Sequence, residues 1–401
     1  MRASPKRIGL FGLFGAGNSG NDGSLRAMVD FLRASRPDAE ITCICANPDK
    51  VQREHQVPSI RIGGETDSGP VVRAFAGFLP TRKLMQALHP FRSVRNFDAL
   101  VMPGTGLLDD FSDRFWGMPA SLFAWCLAAR LWGTKVAFVS VGAGPIDHSV
   151  SRWLMKSAAR MAQYRSYRDT VSKEFMTSIG LDTSSDPIYP DIAFKLPLPD
   201  NSDHPSADSK SITVGVGVMA YYGWRGDGEQ GAAIYKHYLE KTSQFVLWLL
   251  DAGHRVRLLM GETSDQRAIN DLLQILALNR PDYPRERVVA EPAHSLHDIM
   301  RQIATTQIVV ATRFHNVVCA LKLSRPTVSI SYAEKNDALM ADMGVGEFCQ
   351  HVESFDVQRL IGQFTSLLLD RAAYERRIRE MNRIYRERLA LQEQLLLEKI
   401  L

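Results

Sequence analysis

The sequence predicts two α/β domains in succession, each built on a parallel sheet, and three observations carry that expectation. The chain has 401 residues, too many for one ordinary core and suited to two domains of roughly 150–200 residues. Its clearest apolar runs are short and continuous rather than alternating, as strands buried on both faces are. Longer stretches with helical composition separate these runs, which is the rhythm of βαβ units.

In the first half the strands are IGLFGLF (8–14), ITCICA (41–46), ALVM (99–102) and KVAFVSV (135–141). The helices between and after them are SLRAMVDFLRAS (24–35), ASLFAWCLAARLW (120–132) and SRWLMKSAARMAQY (151–164). Residues 196–211, LPLPDNSDHPSADSKS, are rich in Pro, Asp and Ser and poor in apolar residues, as an exposed linker is. The rhythm then restarts with ITVGVGVM (212–219), a helix near 231–252, RVRLLM (255–260), a helix near 265–277, RVVA (287–290) and TQIVVAT (306–312). From Asp370 to the last residue there is no Gly or Pro and an excess of helix formers, which predicts one or two long helices. A charged helix packed along the domains is the first expectation for that tail, with a partner or membrane helix as the alternative. The domains are thus placed at 1–196 and 212–369, with a linker at 197–211 and a helical tail at 370–401.

Composition narrows the function classes. The formal charge is +4 and the Lys and Arg residues are spread along the chain, which argues against nucleic-acid binding. Five cysteines with no CxxC pair, two of them alternating in the strand at 41–46, read as core residues of a protein kept in a reducing cytoplasm. The opening MRASPKRIGLFGLFGAG has a basic start, but its apolar run is broken by glycine and leads into a loop, which reads as a strand rather than a signal peptide. No stretch approaches the roughly 18–20 apolar residues of a spanning helix.

Ligands of open parallel sheets bind at the carboxyl ends of the strands, so the loops there are where chemistry is expected. After the first strand comes GAGNSGNDGS (15–24), in which Gly15, Gly17 and Gly20 match G-x-G-x-x-G and whose amides are candidates to cradle an anion. The acidic residue that a dinucleotide site needs at the end of the second strand is absent, since that end is CANPD with Asn47, so nicotinamide or flavin binding is disfavoured. A turn that only satisfies backbone geometry is the plainer reading, but Asn18, Asn21 and Asp22 are more polar groups than a turn needs. After the third strand, PGTGLLDD (103–110) carries Asp109 and Asp110. Adjacent carboxylates on a helix diverge by about 100° and chelate a metal poorly, so helix entry or a bond to a hydroxyl-rich ligand is expected instead. After KVAFVSV comes a further glycine turn, GAGPI (142–146). YRSYRD (164–169) adds Arg165, Arg168 and Asp169, with an ordinary Arg–Asp surface pair as the plain alternative.

The densest polar constellation is TRFHNVVCALKLSRPTVSISYAEKNDALMADMG (312–344). Its helix is expected to begin near Arg313 or Phe314, which puts His315 at an N-terminus that attracts anions. Lys335 follows the next strand. Arg for a planar carboxylate, Lys as a point charge for phosphate and His as a proton carrier suit a small phosphorylated acid.

These blocks, GAGNSGND, PGTGLLDD, SVGAGPI, YRSYRDTVS, YPDIAF (189–194) and above all TRFHNVVCALKLSRPTVSISYAEK, resemble in order those of the polysaccharide pyruvyl transferase family. The resemblance implies two Rossmann-like domains facing a cleft, as in GT-B glycosyltransferases, with the acceptor side in the first domain and the phosphoenolpyruvate side in the second. It implies donor binding by Arg313, Lys335 and Arg168 and acid–base catalysis by His315. Acceptor or loop roles fall on Gly17, Asn18, Gly20, Asp22 and Asp110. Where many members show Gly-Asp-Glu this chain has Gly20-Asn21-Asp22, and Asn316 stands where a small residue often follows the His. Phosphoenolpyruvate is implied as co-substrate, with no metal and no further cofactor, and the acceptor as a saccharide of a surface polysaccharide or a lipid-linked intermediate. A nucleotide-sugar glycosyltransferase and a non-catalytic saccharide-binding member are the alternatives. The stretch 69–97 holds Arg73, Arg82, Lys83, Arg92 and Arg95 without an acid. It reads as a solvated helical excursion, or as a peripheral contact with the inner face of a membrane.

Overall fold

Each half of the chain builds one six-stranded, wholly parallel sheet. The computed structural model describes residues 5–64, 88–110, 114–200, 211–224 and 228–401. The linker residues 201–210 and the basic residues 69–87 therefore lie outside the described residues.

In the first half the elements are β1 (Arg7–Phe11), α1 (Ser19–Ser35), β2 (Glu40–Cys45), α2 (Pro48–His55), β3 (Ser59–Arg61), β4 (Ala99–Pro103), α3 (Met118–Trp132), β5 (Lys135–Val141), α4 (Ser149–Arg160), β6 (Tyr164–Tyr167) and α5 (Thr170–Ser178). The strand order is β3-β2-β1-β4-β5-β6, so the winding reverses between β1 and β4, where Ile8 sits in register with Ile41 on one side and Ala99 on the other. β4 is buried at every position and β5 at all but its first, as continuous apolar runs demand. Under them α3 buries Leu122, Trp125 and Cys126. The Trp125 indole donates to the Ile62 carbonyl at 3.1 Å, so the largest buried ring keeps its polar end satisfied.

The second half repeats the plan with β7 (Thr213–Gly217), α6 (Gly228–Asp251), β8 (Arg255–Leu259), α7 (Asp265–Asn279), β9 (Val288–Ala290), α8 (Leu296–Ala304), β10 (Ile308–Ala311), α9 (Phe314–Lys322), β11 (Thr327–Ser331), α10 (Glu334–Asp342), β12 (Cys349–His351), α11 (Val357–Leu369) and α12 (Arg371–Lys399). The order β12-β11-β10-β7-β8-β9 places the reversal between β7 and β10. Local chemistry sets several starts: Ser295 caps α8 by accepting from the Asp298 amide at 3.1 Å, and Asp356 caps α11 by accepting from Arg359 at 2.7 Å.

Of the boundaries that differ from the sequence reading, three have a plain physical reason. α1 starts at Ser19 rather than near 24, because Asn18 Oδ1 accepts from the amides of Gly20 (3.0 Å) and Asn21 (3.2 Å) and so caps the helix ahead of the glycines. α4 stops at Arg160, because Tyr164 already pairs with Ala137 of β5. The chain also divides differently: one compact unit holds residues 1–16, 24–195 and 387–401, and the other holds 17–23 and 196–386. The tail is the one long helix α12, and its residues fall in both units. Its last residues belong to the first unit, where buried Gln392 donates to the Ser140 and Ser166 hydroxyls at 2.9 and 2.8 Å and Lys195 pairs with Glu393 at 2.9 Å. Its earlier part belongs to the second, where Asn382 donates to the Leu321 carbonyl at 2.8 Å.

Candidate active site

The loops after β7, β8, β10 and β11 meet at the carboxyl edge of the second sheet, beside its reversal point. Asp265, the first residue of α7, is wholly buried and ties three of them together. Its carboxylate accepts from the amides of Ala220, Gly261 and Glu262, each at 3.0 Å, and grips the Arg313 guanidinium through Nε (2.9 Å) and Nη2 (2.7 Å). Glu262 adds a second carboxylate 3.1 Å from Arg313 Nη2. Burial works against the charged guanidinium, but Asp265 and then Glu262 outweigh it and hold the Arg313 pKa above its ordinary value. Arg313 is thus fixed in place, with its charge already matched and Nη1 outside these bonds.

The glycine loop 17–23 joins this cluster. Asn18 Nδ2 donates to Glu262 Oε1 at 2.8 Å, so Glu262 bridges the loop and Arg313. Two of the loop's amides, those of Gly20 and Asn21, donate to the Asn18 side chain. Gly17 has φ +96, a conformation that side chains rarely adopt. Gly20 has a different reason to be glycine: a Cβ there would lie 1.9 Å from Cε1 of His315. The imidazole rests directly on the Gly20 backbone. Asp22 is buried in the same stretch.

Arg313 is the residue before α9 and no side chain caps the helix, so His315 stands in its first turn where amides face the strand ends. The Phe314 and His315 rings meet edge to face with centroids 5.2 Å apart. Lys335, in the first turn of α10, holds Nζ 4.8 Å from the centre of the Tyr332 ring and 5.7 Å from that of Phe314. No carboxylate among the described residues pairs with it. Among the described residues it is therefore the cation of the cluster with no carboxylate partner. Gly217 and Gly261 leave the room these groups occupy: a Cβ on Gly261 would sit 2.9 Å from Arg313 Cγ, and one on Gly217 2.8 Å from Nδ2 of buried Asn316.

Arg168, Asp110 and Asp109 belong to the first unit. Arg168 lies 3.4 Å from both Asp169 and Asp191 and covers Gly142, whose Cβ would come within 2.4 Å of Nη2. It is buried between two acids, which a surface pair is not. Asp110 accepts from the amides of Asp147 (3.0 Å) and His148 (2.9 Å) and fixes the entry to α4, the helix-related role of the two expected for it. Arg165 pairs with Asp186 at 2.7 Å rather than with Asp169.

Sequence reasoning singled out His315, Arg313, Lys335 and the glycine loop, which the structure brings to one sheet edge, and passed over Asp265, Glu262 and Tyr332. The signal for the first two was GETSD (261–265) directly after a strand, an acidic pair at a carboxyl end. The contact of Gly20 with His315 gives a first prediction. Gly20→Ala favours helix formation and pushes on the ring of the His315 side chain rather than on backbone, so thermal melting should stay near wild type. Displacing the imidazole by an ångström should lower turnover by about 10²-fold. An active Gly20→Ala enzyme would show that the His315 position is immaterial.

The fold recurs widely. The chain aligns over 98% of its length with 98% of the Anabaena protein HepE, solved in complex with UDP and glucose, at 12% identity and TM-score 0.59. It aligns over 98% with 99% of a glycosyltransferase from Rickettsia africae, at 11% identity and TM-score 0.60. It also covers 99% of the UDP-GlcNAc 2-epimerase of Neisseria meningitidis, over 96% of its own length, at 12% identity and TM-score 0.55. Likeness at this identity establishes the fold, two Rossmann-like halves of the GT-B class. Among curated proteins no sequence match is found. The family model for polysaccharide pyruvyl transferases matches residues 18–334, a span that takes in Asn18, Gly20, Asp265, Arg313 and His315 and ends one residue short of Lys335, and the chain belongs to that family.

Proposed function

We propose that the protein moves the pyruvyl group of phosphoenolpyruvate onto two hydroxyls of a saccharide to form a ketal, with His315 as the acid and Lys335 as the main anchor for the donor. The observation that carries this reading is the pairing, at one sheet edge, of a proton carrier on an uncapped helix N-terminus with a cation that has no carboxylate partner among the described residues. His315 gives a proton to the methylene carbon of the enol, which becomes the methyl group, and positive charge develops at C2. A saccharide hydroxyl attacks C2 and releases its proton. The C2–O bond to phosphate breaks, a second hydroxyl closes on C2, and its proton leaves with the products. Lys335 opposes the charge of the phosphate as it departs. Arg313 reaches the donor carboxylate with Nη1, while Asp265 and Glu262 keep the guanidinium from turning. The reaction needs no redox cofactor, since the carbon skeleton is transferred without oxidation.

In this reading Arg168 and Asp110 shape the first unit, and the glycine loop serves by placing His315. The acceptor is a saccharide by family, and we take it to be an intermediate of a surface polysaccharide carried on a lipid. The test is calorimetric titration of phosphoenolpyruvate into the wild type and Lys335→Gln, with a UDP-sugar as control. Binding of phosphoenolpyruvate that weakens by about tenfold or more in Lys335→Gln is the expected result. Binding of the UDP-sugar alone overturns the pyruvyl reading in favour of a nucleotide-sugar glycosyltransferase.

A further inference from the structure

The outer side of α3 and α4 departs from the pattern of a surface helix. A helix lying on a sheet normally turns charged residues to solvent. α3 has a single charged residue, Arg130, in its 15 positions, and its half-buried outer positions Ala120, Ser121, Phe123, Ala124 and Leu127 carry no charge. Apolar side chains are most exposed at its ends: Trp116 just before it is 60% exposed, and Leu131 and Trp132 at its close are 68% and 57% exposed. On neighbouring α4, Trp153 is 56% and Val150 41% exposed, and the Trp153 ring meets Phe123 with centroids 5.4 Å apart. The exposed tryptophans of the described residues are these three, one just before α3, one at its close and one on neighbouring α4.

Within the two helices the charge has one sign. Neither helix contains Asp or Glu, while Arg130, Arg152, Lys156 and Arg160 are present. Arg152, Lys156 and Arg160 donate to the carbonyls of Ile146 (2.9 Å), Ile179 (2.8 Å) and Gly180 (2.9 Å). Those bonds orient the side chains without cancelling their charge.

We propose that this face rests on an anionic lipid surface. Tryptophan, apolar in body and polar at its N–H, is the side chain that settles at the depth of lipid headgroups. Arg and Lys beside it reach lipid phosphates with their stems lying along apolar surface. None of the described helices is long and apolar enough to cross a membrane, so the attachment is one of a face and not of a span. The other occupant of an apolar patch would be a second copy of the chain. In a two-fold pair the patch meets itself, which sets the four basic side chains against their own copies with no acid from either helix between them. An anionic surface removes that conflict. The inference is read from the surface alone and does not depend on the proposed chemistry.

The experiment is flotation of the full chain with vesicles of phosphatidylcholine, with and without phosphatidylglycerol, for the wild type and the double variant Trp132→Ser/Trp153→Ser. Both replaced side chains are exposed, so the variant should melt with the wild type by circular dichroism. The wild type should float with the phosphatidylglycerol vesicles, bind less as salt rises and show a blue shift in tryptophan emission. The double variant should lose at least about tenfold in vesicle affinity. A wild type that ignores phosphatidylglycerol vesicles, or a double variant that binds as well as the wild type, overturns the proposal. A wild-type dimer that the same substitutions make monomeric, with no vesicle binding, overturns it in favour of self-association.

Discussion

His315→Gln should lower pyruvyl transfer by about 10²–10⁴-fold, the range that a positioned general acid contributes. The side chain stands in the first turn of α9 with its ring on Gly20 and against Phe314. Glutamine preserves hydrogen bonding and much of the volume but carries no titratable proton. Calorimetry separates the two roles a histidine has at such a place. If His315 acts as the acid, phosphoenolpyruvate should still bind to His315→Gln, because Lys335 and Arg313 remain, while turnover collapses. A variant that loses donor affinity and turnover in the same ratio would make His315 a binding group, and one that keeps turnover would remove it from the chemistry. The neighbouring Gly20→Ala substitution acts on the same ring from outside. Loss of turnover in both, with unchanged folding, ties the rate to the position of the imidazole and not only to its presence.

The legibility of these elements in the sequence follows from where each element gets its stability. β5 is readable to the residue, since KVAFVSV is a continuous apolar run between a left-handed glycine at 133 and the turn at 142. β3 (SIR), β6 (YRSY) and β12 (CQH) are not readable, being short and polar. They stand at edges of the two sheets, where one side has no strand to pair with and polar residues are tolerated. The same distinction governs the site. Arg313, His315 and Lys335 directly follow strands, so local pattern and the rule for parallel sheets bring them to one edge. Asp265 looks like an ordinary helix-start carboxylate. Its other role depends on a partner 48 residues away and on an amide from the loop after β7, and that is a property of the folded sheet.

Asp265→Ala should be the most destabilising single substitution in the second unit, by roughly 3–5 kcal/mol, because it leaves the largely buried Arg313 guanidinium without its principal counter-charge. Three backbone amides lose their acceptor in the same step. For a domain of this size that loss corresponds to a fall in melting temperature on the order of 10 °C. Glu262 keeps Arg313 from being wholly uncompensated, so the protein should fold at low temperature and its residual activity can be measured. Asp265→Asn is the informative companion. It keeps the shape and one carbonyl oxygen for the amides but removes the charge, so it should cost less stability than alanine while still freeing Arg313 to turn. Turnover falling in Asp265→Asn by more than its melting temperature explains would make Asp265 the positioning residue for Arg313. Asp251→Asn sets the scale for an exposed pair: its partner Arg280 lies 2.5 Å away in solvent, and the expected change is within about 1 kcal/mol. Equal effects at Asp251 and Asp265 would mean that burial adds nothing to the Arg313 pair, and the account of the site as a preorganised cluster would fail.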